Sequence, residues 1–135
     1  MKSIVVDAIL ENLPNVMEFV DLELQQVECS MKAQMQIDVA IEELFVNIAN
    51  YAYGDGTGKA TIEFFFDKDS REVKISFVDS GAKFNPLEKS DPDITLSAEE
   101  REVGGLGILM VKKTMDDLTY EYTDGNNKTT IYKKI

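Results

Sequence analysis

The chain has 135 residues, which suits one domain around one core, and its apolar fraction of 44% argues against a disordered chain. A formal net charge of -11 argues against nucleic acid and an anionic membrane surface as partners, because both call for a basic footprint. Any phosphate ligand would have to be held by a divalent cation and backbone N–H groups.

A single cysteine, Cys29, excludes an internal disulfide framework and a zinc cluster. No histidine is present, so histidine triads, histidine metal sites and a histidine phospho-relay within this chain are excluded. The start MKSIVVDAILEN meets Asp7 and Glu11 before an apolar run can form, so no secretory signal is expected. No run approaches a membrane span. These features predict a soluble cytoplasmic protein.

Ile4, Val6, Ala8 and Leu10 alternate with Asp7 and Glu11, which predicts a half-buried edge strand over Ile4–Leu10. Pro14 and its neighbours start a helix in which Val16, Phe19, Val20, Leu24 and Val27 keep helical spacing. Cys29–Ser30 interrupts it, and Ser30 is placed to cap a second helix from about Met31 to Tyr53. Ala33, Ile37, Ala40, Ile41, Leu44 and Ile48 form the expected buried stripe. The glycines of Gly54-Asp55-Gly56-Thr57-Gly58 end this helix.

Ala60–Phe66 and Val73–Val78 read as a hairpin. Ala60, Ile62, Phe64 and Phe66 share one face of the first strand, and Val73, Ile75 and Phe77 one face of the second. Residues 87–103 are rich in Asp, Glu, Ser and Pro and read as a lid or loop. Gly104-Gly105-Leu106-Gly107 opens a short helix, Ile108–Met115, and Leu118–Thr123, a turn at Asp124–Asn127, and Lys128–Lys134 form a second hairpin. The order implies an α+β fold: a two-layer sandwich with a mixed, mostly antiparallel sheet and helices on one face. No repeat, linker or composition shift marks a second domain.

Three polar signals fall in order. The second helix carries EELFVNIANYAY at Glu42–Tyr53. Glu43 and Asn47 lie four apart, so they share one stripe of the helix at the edge of its apolar face. A carboxylate and a carboxamide held that way can share a metal, a water or a hydroxyl. Asp79-Ser80-Gly81 follows a strand, where an ordinary turn is the simplest reading. The GGLG before the third helix is either a hinge or an anion site built from N–H groups.

Taken together, the chain resembles the GHKL ATP-binding superfamily. Glu43-Leu44-Phe45-Val46-Asn47 with Tyr51-Ala52-Tyr53 is similar to that family's N box. Asp79-Ser80-Gly81-Ala82-Lys83-Phe84-Asn85-Pro86 is similar to the first glycine box, and Gly105-Leu106-Gly107-Ile108 to the second. Within the family the chain looks most like the stand-alone serine kinases that act as anti-sigma factors. The Phe-Asn-Pro after the first box and the phrase GGLGILMVKKTMDDLTYE carry that closer likeness.

The resemblance implies a histidine-kinase-like ATP-binding fold, ATP and Mg²⁺ as cofactors, and roles for named residues. Asp79 would accept from the adenine amino group, with Gly81 allowing close approach of the base and Phe84 and Leu106 in the nucleotide site. Asn47 would supply a side-chain oxygen to Mg²⁺. Gly105 and Gly107 would turn backbone N–H groups to the phosphates. Glu43 would be the general base that takes the proton from a partner's serine. Arg101, in the lid, would reach the phosphates on closure or remain solvated; Lys83 and Lys112 are the other basic candidates, and Arg71 lies in a hairpin turn away from the boxes. Tyr51 stands where the N box usually has histidine, which affects pocket shape more than chemistry. The implied partners are a sigma factor and a small serine-bearing antagonist protein, with a homodimer also in view. The rival readings are a nucleotide-binding regulatory module without kinase activity, and a GHKL ATPase or split histidine kinase catalytic domain.

Overall fold

Period-two apolar alternation becomes strand and period-3.6 alternation becomes helix in the computed structural model. The elements are β1 (Lys2–Asp7), α1 (Leu13–Gln26), α2 (Met31–Asn47), β2 (Lys59–Asp67), β3 (Glu72–Asp79), α3 (Gly105–Thr114), β4 (Asp117–Thr123) and β5 (Asn126–Lys134). The structure describes residues 1–54, 56–88 and 105–135. Most of the expected lid, residues 89–103, lies outside them.

The five strands make one sheet in the order β1-β2-β3-β5-β4, and all four pairings are antiparallel. The β2–β3 register sets Ile62 opposite Phe77, Phe64 opposite Ile75 and Phe66 opposite Val73, so one face is continuously apolar. The second hairpin joins through its later strand: β5 pairs with β3, and β4 forms the outer edge. Its turn has positive φ at Asp124 (55°) and Gly125 (80°), the backbone that a tight two-residue hairpin needs.

Val16, Val20 and Leu24 of α1, Ile37, Ile41, Leu44 and Phe45 of α2, and Ile108 and Val111 of α3 pack with that face in one core. The opposite parity of the sheet carries Glu63, Phe65, Lys74 and Lys128, with the Lys74 ammonium over the Phe65 and Tyr132 rings. The two layers are therefore helices and sheet, with the helices on one face, as expected. Among the described residues no helix is long and apolar enough to cross a membrane.

Several expected boundaries shift by a few residues, and two of the shifts change the path of the chain. Leu10 leaves the first strand and sits, 49% exposed, in a 3-10 turn over Leu10–Asn12. The cause is local: the Asn12 side chain donates to the Asp7 carbonyl at 2.9 Å, and Pro14 starts α1. The second helix is regular only to Asn47 and continues as a π turn over Ile48–Ala52. Ser30 caps α2 as expected, its hydroxyl accepting from Ala33 N at 3.2 Å.

Between α1 and α2, Asp21 and Asp38 each bury an Oδ1 that has no hydrogen-bond partner among the described residues. Burial pushes the Asp38 carboxyl up to about 7, and the neighbouring Asp21 carboxyl adds to the shift. Burial also raises the Cys29 thiol, with Asp38 adding to it, so this cysteine is not a reactive thiolate at neutral pH.

Candidate functional site

The last residue of β3 and an early residue of β5 meet at one end of the sheet. Asp79 pairs directly with Asn127 in the strand register, and both are buried, 6% and 4% exposed. A buried carboxylate needs donors, and the Asn127 amide is the main source of local order. Its Nδ2 donates to Asp79 Oδ1 at 3.0 Å and to the Ala82 carbonyl at 2.9 Å. Its Oδ1 accepts from Phe84 N at 3.1 Å and from the Tyr120 hydroxyl. Residues 79–84 thus wrap around one side chain. Asp79 Oδ1 takes a second bond from Gly81 N at 2.9 Å, while Oδ2 has no partner among the described residues.

The opposing wall is the end of α2 and its π turn. Ala82 N donates to the Ala52 carbonyl at 2.7 Å. The Tyr53 hydroxyl accepts from Ser80 N at 2.9 Å and donates to the Lys59 carbonyl at 2.5 Å. At Gly81 an added Cβ would stand 2.1 Å from the Ala52 carbonyl oxygen. Glycine is therefore required there by the approach of two backbones, whatever else enters the cleft.

Between these walls lies a narrow, partly open cleft. Leu44, Ile48, Phe77 and Phe84 make it apolar, and Asn47 and Asp79 place polar groups at separate points on its lining. Such a slot suits a flat heteroaromatic ring with a donor at one edge. Tyr51, in the position of the N-box histidine, is 52% exposed and also lines the cleft.

At the rim Asn47 Nδ2 donates to Glu43 Oε1 at 3.3 Å, which confirms the shared stripe. The first turn of α3 packs against the same carboxyl: a Cβ added at Gly107 would stand 2.0 Å from Glu43 Cδ. Glu43 is thus held between Asn47 on its own helix and the glycine turn of α3.

The structure accordingly brings Glu43, Asn47, Asp79, Gly81, Phe84 and Gly107 to one region. Gly105 and Leu106 open α3 beside Gly107. Arg101 and Gly104 lie outside the described residues. Lys83 holds its ammonium over the Tyr122 ring, 5.5 Å from the centroid, and Lys112 lies in the last turn of α3. Arg71 is remote, as expected, bonding the carbonyls of Val27 and Ile135 at 3.1 and 3.4 Å. Asn127, with its four side-chain hydrogen bonds, and Tyr53, whose hydroxyl bridges Ser80 and Lys59, had no role assigned from sequence. Asn127 read as a turn residue, and only the β3–β5 register makes it the partner of Asp79. Tyr53 was legible only as part of the N-box phrase.

Among curated proteins, the chain is 30% identical over 101 residues to the serine-protein kinase RsbW of Listeria monocytogenes serovar 1/2a. That match covers 71% of this chain and 63% of the Listeria protein, so the chain spans less than two thirds of that relative's length. It is 26% identical over 102 residues to the serine/threonine-protein kinase BtrW of Bordetella bronchiseptica, covering 76% of this chain and 71% of that one. Among solved structures, the crystal structure of the RsbU and RsbW domains of Rv1364c from Mycobacterium tuberculosis superposes with a TM-score of 0.65. That alignment covers 99% of this chain and 32% of the other at 14% identity, a likeness of fold. The family described as the histidine kinase-like ATPase domain matches residues 6–133, nearly the whole chain, including both walls of the cleft and the turn that meets Glu43. This chain belongs to the histidine kinase-like ATPase domain family.

Proposed function

We propose that this chain is an ATP-dependent serine/threonine protein kinase of the anti-sigma type, acting in the cytoplasm. In one state it sequesters a sigma factor, and in another it phosphorylates a serine of a small antagonist protein. The observation that carries this reading is the Glu43 carboxyl, fixed by Asn47 and by the glycine turn of α3 at the rim of a cleft that contains Asp79. A site that only binds nucleotide has no need of a carboxylate there. The serine-kinase names of the two relatives agree with it.

Asp79 Oδ2 is the acceptor for the adenine amino group, and a charge-assisted bond of this kind favours adenine over guanine. Phe84 and Ile48 bound the ring plane. Gly105 and Gly107 offer N–H groups to the phosphates from the start of α3. Asn47 fits the requirement for Mg²⁺: its Nδ2 is committed to Glu43, which leaves Oδ1, a hard oxygen donor, for a cation, and the side chain lines the cleft. When bound, the cation offsets phosphate charge in a protein whose own net charge is -11. Glu43 accepts the proton of the acceptor hydroxyl as that oxygen bonds to the terminal phosphorus and the bond to the departing ADP breaks.

The test is incubation with labelled ATP, Mg²⁺ and a candidate antagonist, comparing wild type with Glu43→Ala. The expected result is acid-stable phosphoserine, abolished in the variant while nucleotide still binds. Unchanged transfer by Glu43→Ala removes the base assignment. Acid-labile phosphate on a histidine of the acceptor would instead assign a split histidine kinase catalytic domain, and nucleotide binding without transfer would assign a regulatory module.

A further inference from the structure

A second concavity lies on the other side of the α2 ridge from the nucleotide cleft. It is lined by Val39, Glu42, Glu43, Val46, Gly107 and Met110, and among the described residues it shares no lining residue with the cleft. The Asn47–Glu43 hydrogen bond crosses the ridge between them. Glu43 therefore belongs to both: its amide partner lines the cleft, and its own side chain lines the groove.

The groove continues as an apolar stripe along α2. Met31, Met35 and Val39 follow at four-residue spacing and are 79%, 63% and 49% exposed, and Met110 of α3 is 48% exposed at the groove. The core does not need these residues, since Ala33, Ile37, Ala40, Ile41 and Leu44 already fill the inner face of the same helix. A run of solvent-facing methionines and valine is a surface that adapts to an apolar partner. From Met31 to Glu43 the helix rises about 18 Å. An extended segment of about five or six residues spans that distance. Glu42 is exposed beside Glu43 at the groove, and the whole chain is acidic, so an acidic segment would be repelled.

We propose that this groove takes the hydroxyl-bearing segment of the phosphoacceptor protein, and that the segment has apolar flanks and no net negative charge. The inference rests on the reading of Glu43 as the base. The adenine lies in the cleft on one side of the α2 ridge, its phosphates reach the glycine turn of α3 where the groove begins, and the acceptor chain lies along the rest of the groove, so its hydroxyl meets the Glu43 carboxyl and the terminal phosphate from the groove side.

The test uses short serine-centred peptides whose flanks are apolar, basic or acidic, with the full chain, labelled ATP and Mg²⁺. Apolar and basic flanks are expected to raise kcat/KM about tenfold over acidic ones. Met35→Glu is expected to raise KM for the apolar peptides about tenfold with KM for ATP unchanged. Met35→Lys is expected to invert the ranking toward acidic flanks, a gain that a misfolded variant cannot produce. Phosphorylation blind to the flanks, or a ranking unmoved by Met35→Lys, overturns the proposal. So does failure of every peptide with the wild-type chain. Transfer to a whole antagonist protein, measured alongside, decides separately whether the kinase reading stands.

Discussion

Replacing Gly107 with alanine separates stability from chemistry more cleanly than any other change at the site. The new Cβ would stand 2.0 Å from Glu43 Cδ, and ordinary contact begins at 3.4 Å, so the carboxyl must retreat by about 1.4 Å. That carboxyl is the far end of a flexible side chain, so it can move by changing rotamer at a cost of about 0.5–1.5 kcal/mol. Alanine for glycine within a helix returns about 1 kcal/mol, so the net change in stability is near zero. The carboxyl proposed as the proton acceptor, however, is displaced by more than an ångström, a misplacement that costs about 100-fold in rate. The expected outcome is a melting temperature within a few degrees of wild type, nucleotide affinity largely kept, and kcat for phosphotransfer down about 100-fold. Calorimetry, nucleotide titration and a labelled-phosphate assay on the same preparation read all three. Wild-type kcat in Gly107→Ala would refute the placement of Glu43 as base, because no reacting geometry tolerates so large a retreat.

Gly81→Ala should behave in the opposite way. Its Cβ meets the Ala52 backbone carbonyl at 2.1 Å, which cannot rotate aside, so unfolding by urea should show a loss of about 1–3 kcal/mol together with weaker nucleotide binding. Asn127→Ala removes two donated and two accepted bonds and strips the buried Asp79 of a donor. The expected cost is about 2–4 kcal/mol by the same assay, with adenine nucleotide affinity falling as well. Ser30→Ala should cost about 1 kcal/mol through the lost cap of α2 and leave phosphotransfer unchanged. The Asp38 carboxyl is raised from 3.8 to about 7 in the folded chain, so between those values the folded state binds more protons than the unfolded one. Stability should therefore fall as pH rises through that range and level off above it. Asp38→Asn should flatten the profile and raise stability at pH 8, measured by denaturant unfolding across the range.

The fold was legible where one interaction dominated. Ile62, Phe64, Ile75 and Phe77 alternate so cleanly that strand, face and partner all follow from burial, and Ser30 announced the start of α2 by its hydroxyl. Glu43 and Asn47 were legible because helical spacing alone sets them side by side. The misses are long-range or local-geometry effects. Leu10 kept strand alternation, but the Asn12 side chain and Pro14 turned the chain before it. The π turn at Ile48–Ala52 packs against residues 80–82, far along the chain, and its one extra residue leaves no signal in local spacing. Asn127 is polar, near glycine and in a turn-rich phrase, so local rules assign it to the turn. Its role exists only once β5, and not β4, lies beside β3.

The π turn has a consequence of its own. Winding one residue more than a regular turn shifts the angular phase of everything after it by about 100°. The Ala52 carbonyl points at Ala82 N, and Tyr53 reaches Ser80, only because of that offset. Deleting a single residue from Ile48–Ala52 would restore an ordinary helix and swing both anchors off the neighbouring loop. The aspartate wall would then lose its tether to α2, although no residue in that wall had changed. The length of this one coil, counted in residues, is thus as much a determinant of the cleft as any side chain lining it.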